Sequence, residues 1–319
     1  MSQHSNEGAS MAESTNAGFA REGSFDSGVA CSGVAAADSA SSDSAGFGLA
    51  GPDSASLDPA SLDLASPNLG VSDPASPDPV DGFFSRLERI MGREGLDRLA
   101  GSTVMVLGVG GVGSNCIEAL ARGGVGHLVI VDHDVVQESN INRQAIAFMS
   151  TLGRPKVEVM RDMVADINPQ AKVTALRRFV LAQDVPVLFE EFAERLDYVV
   201  DAIDTVSAKL AIAQYADERN IRLISSMGAA NKLRPECLRV ADVFDTVNCP
   251  LSRIMRKEAR KRGIERLKVL YSCEQPVKVA TREGAERRER SNLGTASFMP
   301  PIMGQMIAGQ VIRELAGLE

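Results

Sequence analysis

Between residues 108 and 156 the chain sets out, in order, the turn Gly108-Val-Gly-Gly-Val-Gly113, the acidic pair Asp132-His-Asp134, the run Ser139-Asn-Ile-Asn-Arg143, and Lys156. Glycines spaced G-x-G-x-x-G behind a strand bring backbone close to a pyrophosphate at a helix N-terminus, where N–H groups and the helix dipole attract anions. By themselves Gly108, Gly110, Gly111 and Gly113 would serve nicotinamide, flavin and other nucleotides equally. The residues that follow narrow the chemistry. Asp132 lies nineteen residues past Gly113, the distance at which a strand-end carboxylate reaches a ribose. Asp134 either assists it or caps the next segment, and His133 between them is read as a loop residue. Asn140 and Asn142 are placed to reach a base or sugar, and the Arg143 guanidinium to grip phosphate through two bonds. Lys156, behind Gly153-Arg-Pro155, would complete a clamp on a triphosphate. Hydride transfer has no use for cations poised over a phosphorus, so the series reads as a site that holds ATP and exposes its α-phosphate to attack. Farther on, Asp201 and Asp204 end another strand. Asp204 is the expected ligand, direct or through water, for the magnesium that accompanies ATP, while Asp201 holds the turn.

The elements that position these residues follow from hydrophobic periodicity. An amphipathic helix or pair of helices over 83–99 leads into an apolar strand at 103–107, a helix at 112–122 and a strand at 128–131. Further helices are expected at 156–167, about 185–195 and 206–219, alternating with strands near 172–177, 198–200 and 221–225. That alternation implies an α/β fold with a doubly wound, Rossmann-like, mostly parallel sheet and its ligand beyond the strand C-termini. After residue 235 comes an added section: a strand at 238–240, a basic helix at 250–262, a strand at 268–271, a charged loop at 281–292 and an apolar helix at 301–315. This last helix is shorter than the roughly 20 residues a bilayer requires. It is read as a core or dimer-interface helix, with no membrane association.

Composition divides the chain in two. Residues 1–80 hold eleven acidic residues and one arginine among Ser, Ala, Asp, Gly and Pro, an acidic, low-complexity tail expected to be disordered. Residues 81–319 are nearly neutral, with 33 basic and 31 acidic residues, and form the expected ATP-binding adenylation domain. Within it, 253–268 carries eight Arg or Lys against two acidic residues, either a wetted helix face or, extended to 253–290, the footprint of RNA. Five cysteines without a C-x-x-C pair argue against a disulfide framework and a structural zinc site. Two histidines in 81–319 argue against histidine-driven nucleophilic catalysis. No charged segment followed by an apolar run opens the chain, so a cytoplasmic protein is the default expectation.

With Phe84-Ser-Arg86, Val106–Gly113, Val131–Asp134, Asn140–Arg143, Gly153–Lys156, Asp201–Asp204 and Ile224-Ser-Ser-Met-Gly-Ala-Ala-Asn-Lys232 in place, residues 83–316 resemble the ThiF/HesA/MoeB superfamily. Its members are ATP-dependent carboxylate-adenylating proteins related to ubiquitin-activating enzymes. The last motif and Tyr271-Ser-Cys-Glu-Gln-Pro276 resemble, within it, the tRNA threonylcarbamoyladenosine dehydratases. Cys249-Pro250 departs from the Asp-Pro expected there. The resemblance implies that Gly111, Asp132, Asn140, Arg143, Lys156 and Asp204 bind nucleotide and Mg2+, and that Arg86 reaches the ATP of the partner subunit in a homodimer. It implies adenylation of the threonylcarbamoyl carboxylate on tRNA, followed by ring closure and loss of AMP, with no catalytic cysteine. A second expectation in the same chemistry is an adenylyltransferase acting on the C-terminal glycine of a ubiquitin-like sulfur-carrier protein, which makes a sulfur-transfer or carrier protein a possible partner. Such enzymes commonly carry paired C-x-x-C motifs, which this sequence lacks. A nicotinamide oxidoreductase and a non-catalytic nucleotide-sensing scaffold are the remaining alternatives.

Overall fold

Branched and long apolar residues fill β1 (Thr103–Leu107) and β2 (His127–Val131), and every residue of both strands is buried, as expected for strands covered on two faces. Successive side chains point to opposite sides. Val104, Val106, Leu128 and Ile130 pack into one apolar cluster, and Met105, Leu107, Val129 and Val131 into another. The computed structural model describes residues 82–279 and 293–319. The acidic segment 1–80 and the charged loop 281–292 lie outside the described residues.

The remaining strands are β3 (Lys172–Leu176), β4 (Tyr198–Asp201), β5 (Leu223–Ser226), β6 (Leu238–Asp242) and β7 (Lys268–Ser272). Together they make one sheet in the order β3-β2-β1-β4-β5-β7-β6. Neighbours run parallel except β6, which pairs antiparallel to β7 at the edge. The order reverses between β1 and β4, the switch point at which ligands settle beyond the strand C-termini.

The helices are α1 (Ser85–Gly101), α2 (Gly111–Arg122), α3 (Lys156–Ile167), α4 (Val185–Glu190), α5 (Val206–Glu218), α6 (Pro250–Lys261) and α7 (Met299–Ala316). The first cluster takes in residues of α2, α3 and α7, and the second takes in residues of α4 and α5. α1 bends at Gly92, whose φ of 69° lies in the left-handed region, so the expected single helix or pair is two helices joined by a kink. α4 stops at Glu190, short of the expected residue 195, because the chain tightens into i→i+3 bonds such as Arg195 N–H to Phe192 O. α7 is a core helix: Met299, Met303, Ile307, Ala308 and Val311 are fully buried. Its Gly304 lies so close to α2 that a β-carbon there would stand 2.4 Å from Val112 O. No helix among the described residues is long and apolar enough to cross a membrane.

Beneath the switch point lies a buried charge pair. Asp201 at the end of β4 and Lys209 in α5 are both 1 % exposed. Lys209 Nζ donates to Asp201 Oδ2 at 2.9 Å and to Ser225 Oγ at 3.2 Å, while Ser225 Oγ donates to the same carboxylate at 2.5 Å. Asp201 Oδ1 accepts from Ile203 N–H at 3.3 Å, shaping the turn that carries Asp204. Asp201 is therefore structural, and its cation was invisible in the local pattern of α5. Removing one partner of a buried pair strands the other charge, at a cost of about 3–5 kcal/mol. Lys209→Met is accordingly expected to lower the urea midpoint by that equivalent in equilibrium unfolding; an unchanged midpoint would show the pair to be dispensable.

Candidate active site

The glycine turn is built from two close approaches. Gly108 has φ +94°, and a β-carbon on Gly113 would lie 1.8 Å from Gly108 O, so neither position accepts a side chain without moving the turn. α2 begins at Gly111 behind Gly110 with no side-chain cap and no acidic residue in its first turn. Its first N–H groups are left for an anion. Asp132, at the end of β2, holds this turn from below: Oδ2 accepts from Val109 N–H at 2.7 Å and Oδ1 from Asp134 N–H at 2.8 Å.

Arg143 lies above the turn. Its stem faces Gly111, where a β-carbon would meet Arg143 Cγ at 3.1 Å. Its Nη1 donates to Ser139 O and to Asn142 Oδ1, both at 2.8 Å. Two residues of α2 hold the loop that carries it: Asn115 Nδ2 donates to Arg143 O at 3.1 Å, and Ser114 Oγ accepts from Ala145 N–H at 3.0 Å. Lys156, the first residue of α3, is 5 % exposed, and its Nζ donates to Asp134 Oδ2 at 2.8 Å. Asp134 also faces His133 Nε2 at 3.1 Å, so it is an ion-pair partner inside the site and more than a turn carboxylate.

These groups share one cleft of about 300 Å³, lined by Gly108, Gly110, Gly111, Asp132, Asp134, Arg143, Lys156 and Asp204 among others. Asp204 is exposed there, and its Oδ1 accepts from Thr205 Oγ1 at 3.3 Å. Four residues expected at a nucleotide do not line the cleft. Gly113 is packed against Gly108 O inside the turn. Asn140 is buried, with its Oδ1 accepting from Gln137 N–H at 3.1 Å, and so closes its own turn. Asn142 is held by Arg143 and, through Nδ2, by Thr295 O at 3.1 Å. Arg86 is exposed on α1.

The cleft also contains His133, read from the sequence only as a loop residue, and residues that sequence reasoning passed over. His133 stands edge-on to Phe179, with ring centroids 4.5 Å apart, and Phe179 and Arg178 also line the cleft. They fall between elements, where no periodicity marks them. Gln144 is 7 % exposed, lines the cleft, and its Oε1 has no partner; its only signal was adjacency to Arg143. The other described histidine, His127, hydrogen-bonds Thr103 and Thr174, and burial holds its pKa below the usual histidine value, which suits a neutral structural role.

The donor set suits magnesium, which takes one or two carboxylates and fills its remaining positions with phosphate oxygens and water. Asp204 is exposed with only a hydroxyl partner, whereas both oxygens of Asp132 already accept N–H groups.

Comparison with known proteins finds relatives along most of the described chain. A tRNA threonylcarbamoyladenosine dehydratase of Bacillus subtilis is 41 % identical over 242 residues, covering 73 % of this chain and 94 % of that protein. The Escherichia coli protein of the same name is 30 % identical over 251 residues, covering 73 % and 92 %. A crystal structure of the E. coli tRNA N6-threonylcarbamoyladenosine dehydratase TcdA in complex with ATP superposes with a TM-score of 0.65 at 28 % identity, covering 74 % of this chain and 94 % of that one. The ThiF family model matches residues 84–319, and the chain belongs to the ThiF family.

Proposed function

We propose that this chain catalyses the ATP-dependent dehydration of threonylcarbamoyladenosine in tRNA, closing the side chain into a ring by way of an acyl adenylate. The observation that carries the reading is the convergence of Arg143, Lys156 and Asp204 on one cleft at the uncapped start of α2. The activity for which the relatives are named supplies the substrate. In this reading the threonylcarbamoyl carboxylate attacks the α-phosphate of ATP and pyrophosphate leaves. The ureido nitrogen of the same modification then attacks the activated carbonyl, AMP departs, and the oxygen lost from the carboxylate leaves with it.

The protein's part is to orient and to stabilise charge. The α2 N–H groups and the Arg143 and Lys156 cations face the phosphates, where fixed donors stabilise charge developing in the transition state. Asp132 would accept ribose hydroxyls with its remaining lone pairs, and Gln144 Oε1 offers a buried acceptor to a ligand donor. Asp204 would hold Mg2+, which when bound neutralises phosphate charge. Arg86, outside its own cleft, would act in the partner's site within a homodimer. The reaction needs no protein nucleophile, and the setting proposed for it is the cytoplasm.

The tRNA would lie along α6. Its buried face is Ser252, Met255 and Ala259, while Arg253, Lys257, Arg260, Lys261 and Arg262 are exposed. Such a surface suits a phosphate backbone.

Arg143→Ala and Lys156→Ala are each expected to lower tRNA-dependent pyrophosphate release by about 100-fold or more, the scale of removing one charged donor from the transition state. Loss of the ring-closed nucleoside, read by mass spectrometry of tRNA digests, should accompany it. Pyrophosphate release stimulated by a ubiquitin-like carrier and not by modified tRNA would defeat the substrate assignment. Mixing inactive Arg86→Ala with inactive Lys156→Ala is expected to restore part of the activity, because one site of a mixed dimer has both groups intact; no recovery despite subunit exchange would place Arg86 outside the chemistry. Replacing Arg253, Lys257 and Lys261 by Gln should weaken tRNA binding and reduce the slope of log affinity against log salt by about 1 for each phosphate no longer neutralised. An unchanged slope would leave α6 as a solvated face.

A further inference from the structure

Lys232 presents a physical problem that the proposed reaction does not use. It is 2 % exposed, yet its ammonium donates to the backbone carbonyl of Glu274 and forms no ion pair with a carboxylate among the described residues. A buried ammonium without a counter-ion is costly. Burial lowers its pKa from the usual lysine value, against the opposing pull of Cys249, Glu274, Cys237 and Cys273. The Glu274 carboxylate and the thiols of Cys237, Cys249 and Cys273 thus act electrostatically on this cation.

The backbone independently gathers these thiols. β6 and β7 pair antiparallel with Leu238 opposite Ser272, and continuing that register one step places Cys237 opposite Cys273. Cys273 N–H donates to Cys237 O at 3.0 Å, one bond beyond the last ladder pair, while Cys237 N–H closes its own short turn onto Arg234 O. Directly opposed residues of an antiparallel pair stand about 4.5–5.5 Å apart at Cα, inside the range of about 4.4–6.8 Å that a disulfide spans. Both thiols are free and half-buried, hence within reach of a small reagent. Asn248 Nδ2 donates to Cys273 O at 3.0 Å, bringing Cys249 to the same corner. A cleft of about 320 Å³ opens there, lined by Asn248, Cys249, Arg253, Arg256 and Gln275, and its arginines favour an anionic visitor.

We propose that Cys237 and Cys273 form a reversible dithiol–disulfide pair, with Lys232 as the buried cation that stabilises the thiolate and an anionic small-molecule disulfide as the oxidant. One thiolate attacks a sulfur of that disulfide, forming a mixed disulfide and releasing one reduced thiolate. The second cysteine then loses its proton and attacks the mixed bond, expelling the other reduced thiol. Two electrons pass to the small disulfide, and one new S–S bond remains in the protein. Burial and the neighbouring Cys273 push the Cys237 thiol up. Closure would fasten edge strand β6 to β7 beside Glu274, whose carboxylate accepts from Leu233 and Arg234 N–H.

The full-length protein, reduced and then incubated with oxidised glutathione, tests this by peptide mapping after alkylation of the remaining thiols. A Cys237–Cys273 cross-link is expected as the product, reversed by dithiothreitol, abolished in Cys237→Ser and in Cys273→Ser, and retained in Cys249→Ser. Cys116, fully buried with its thiol pushed up by burial, should stay reduced throughout. Lys232→Met should slow cross-linking about tenfold, because a neighbouring cation favours the attacking thiolate; should that variant misfold, the serine variants still decide. Stable glutathione adducts on single thiols, an internal cross-link surviving in Cys273→Ser, or thiols that all remain reduced would overturn the proposal.

Discussion

Everything in the cleft depends on one contact between backbones that exists because a side chain is missing. Gly113 lies against the carbonyl of Gly108, where a β-carbon would sit at 1.8 Å. That approach folds the end of β1 back onto the start of α2, so the uncapped N–H groups of the helix open over the sheet's switch point. Asp132 secures the arrangement from the neighbouring strand by accepting from Val109 N–H. Because β1 and β2 are in fixed parallel register, with Leu107 opposite Val131, the carboxylate and the turn cannot drift apart without breaking the sheet. Gly111 adds a further consequence, since its bare α-carbon leaves room for the stem of Arg143.

The cations of the cleft are already engaged before any phosphate arrives. Lys156 is paired with Asp134, and Arg143 is tied to Ser139 O and Asn142. These partners set direction as well as neutralising charge. Asn142 cannot turn its amide over without losing Thr295 O, so its oxygen stays on the guanidinium and the segment before α7 contributes to the placement of Arg143. In the proposed reaction the phosphates meet donors whose positions were determined during folding, the condition under which electrostatic stabilisation is strongest.

Two buried lysines show how context decides the meaning of a charge. Lys209 has a carboxylate, a hydroxyl and an adjacent strand end, and it serves the scaffold. Lys232 is equally enclosed but has a carbonyl for its acceptor and thiols for neighbours. The first is a hydrogen-bonded ion pair, whereas the second has no hydrogen-bonded carboxylate among the described residues.

Much of this was legible along the chain because the signals are local. Short apolar runs marked the strands and period-3.6 patterns the helices, the glycine spacing marked the turn, and Asp132, Lys156 and Asp204 stood at or just past strand and helix ends, with Arg143 in the loop between them, from which one edge can be reached. What could not be read were facts set by packing between distant segments. Asn140 and Asn142 have the chemistry of ligands but are consumed by nearby backbone and by Thr295. Phe179 and Gln144 become cleft walls only when β2 and β3 lie side by side. Cys237 and Cys273 are thirty-six positions apart in the sequence and face each other only because an antiparallel edge strand brings them together. Residue order determined which elements form and which functional groups stand at their ends, since those choices rest on short-range sterics and periodicity. Which groups remain available, and which are spent on the scaffold, was decided by tertiary structure alone, because hydrogen-bond and charge partners come from wherever the folded chain places them.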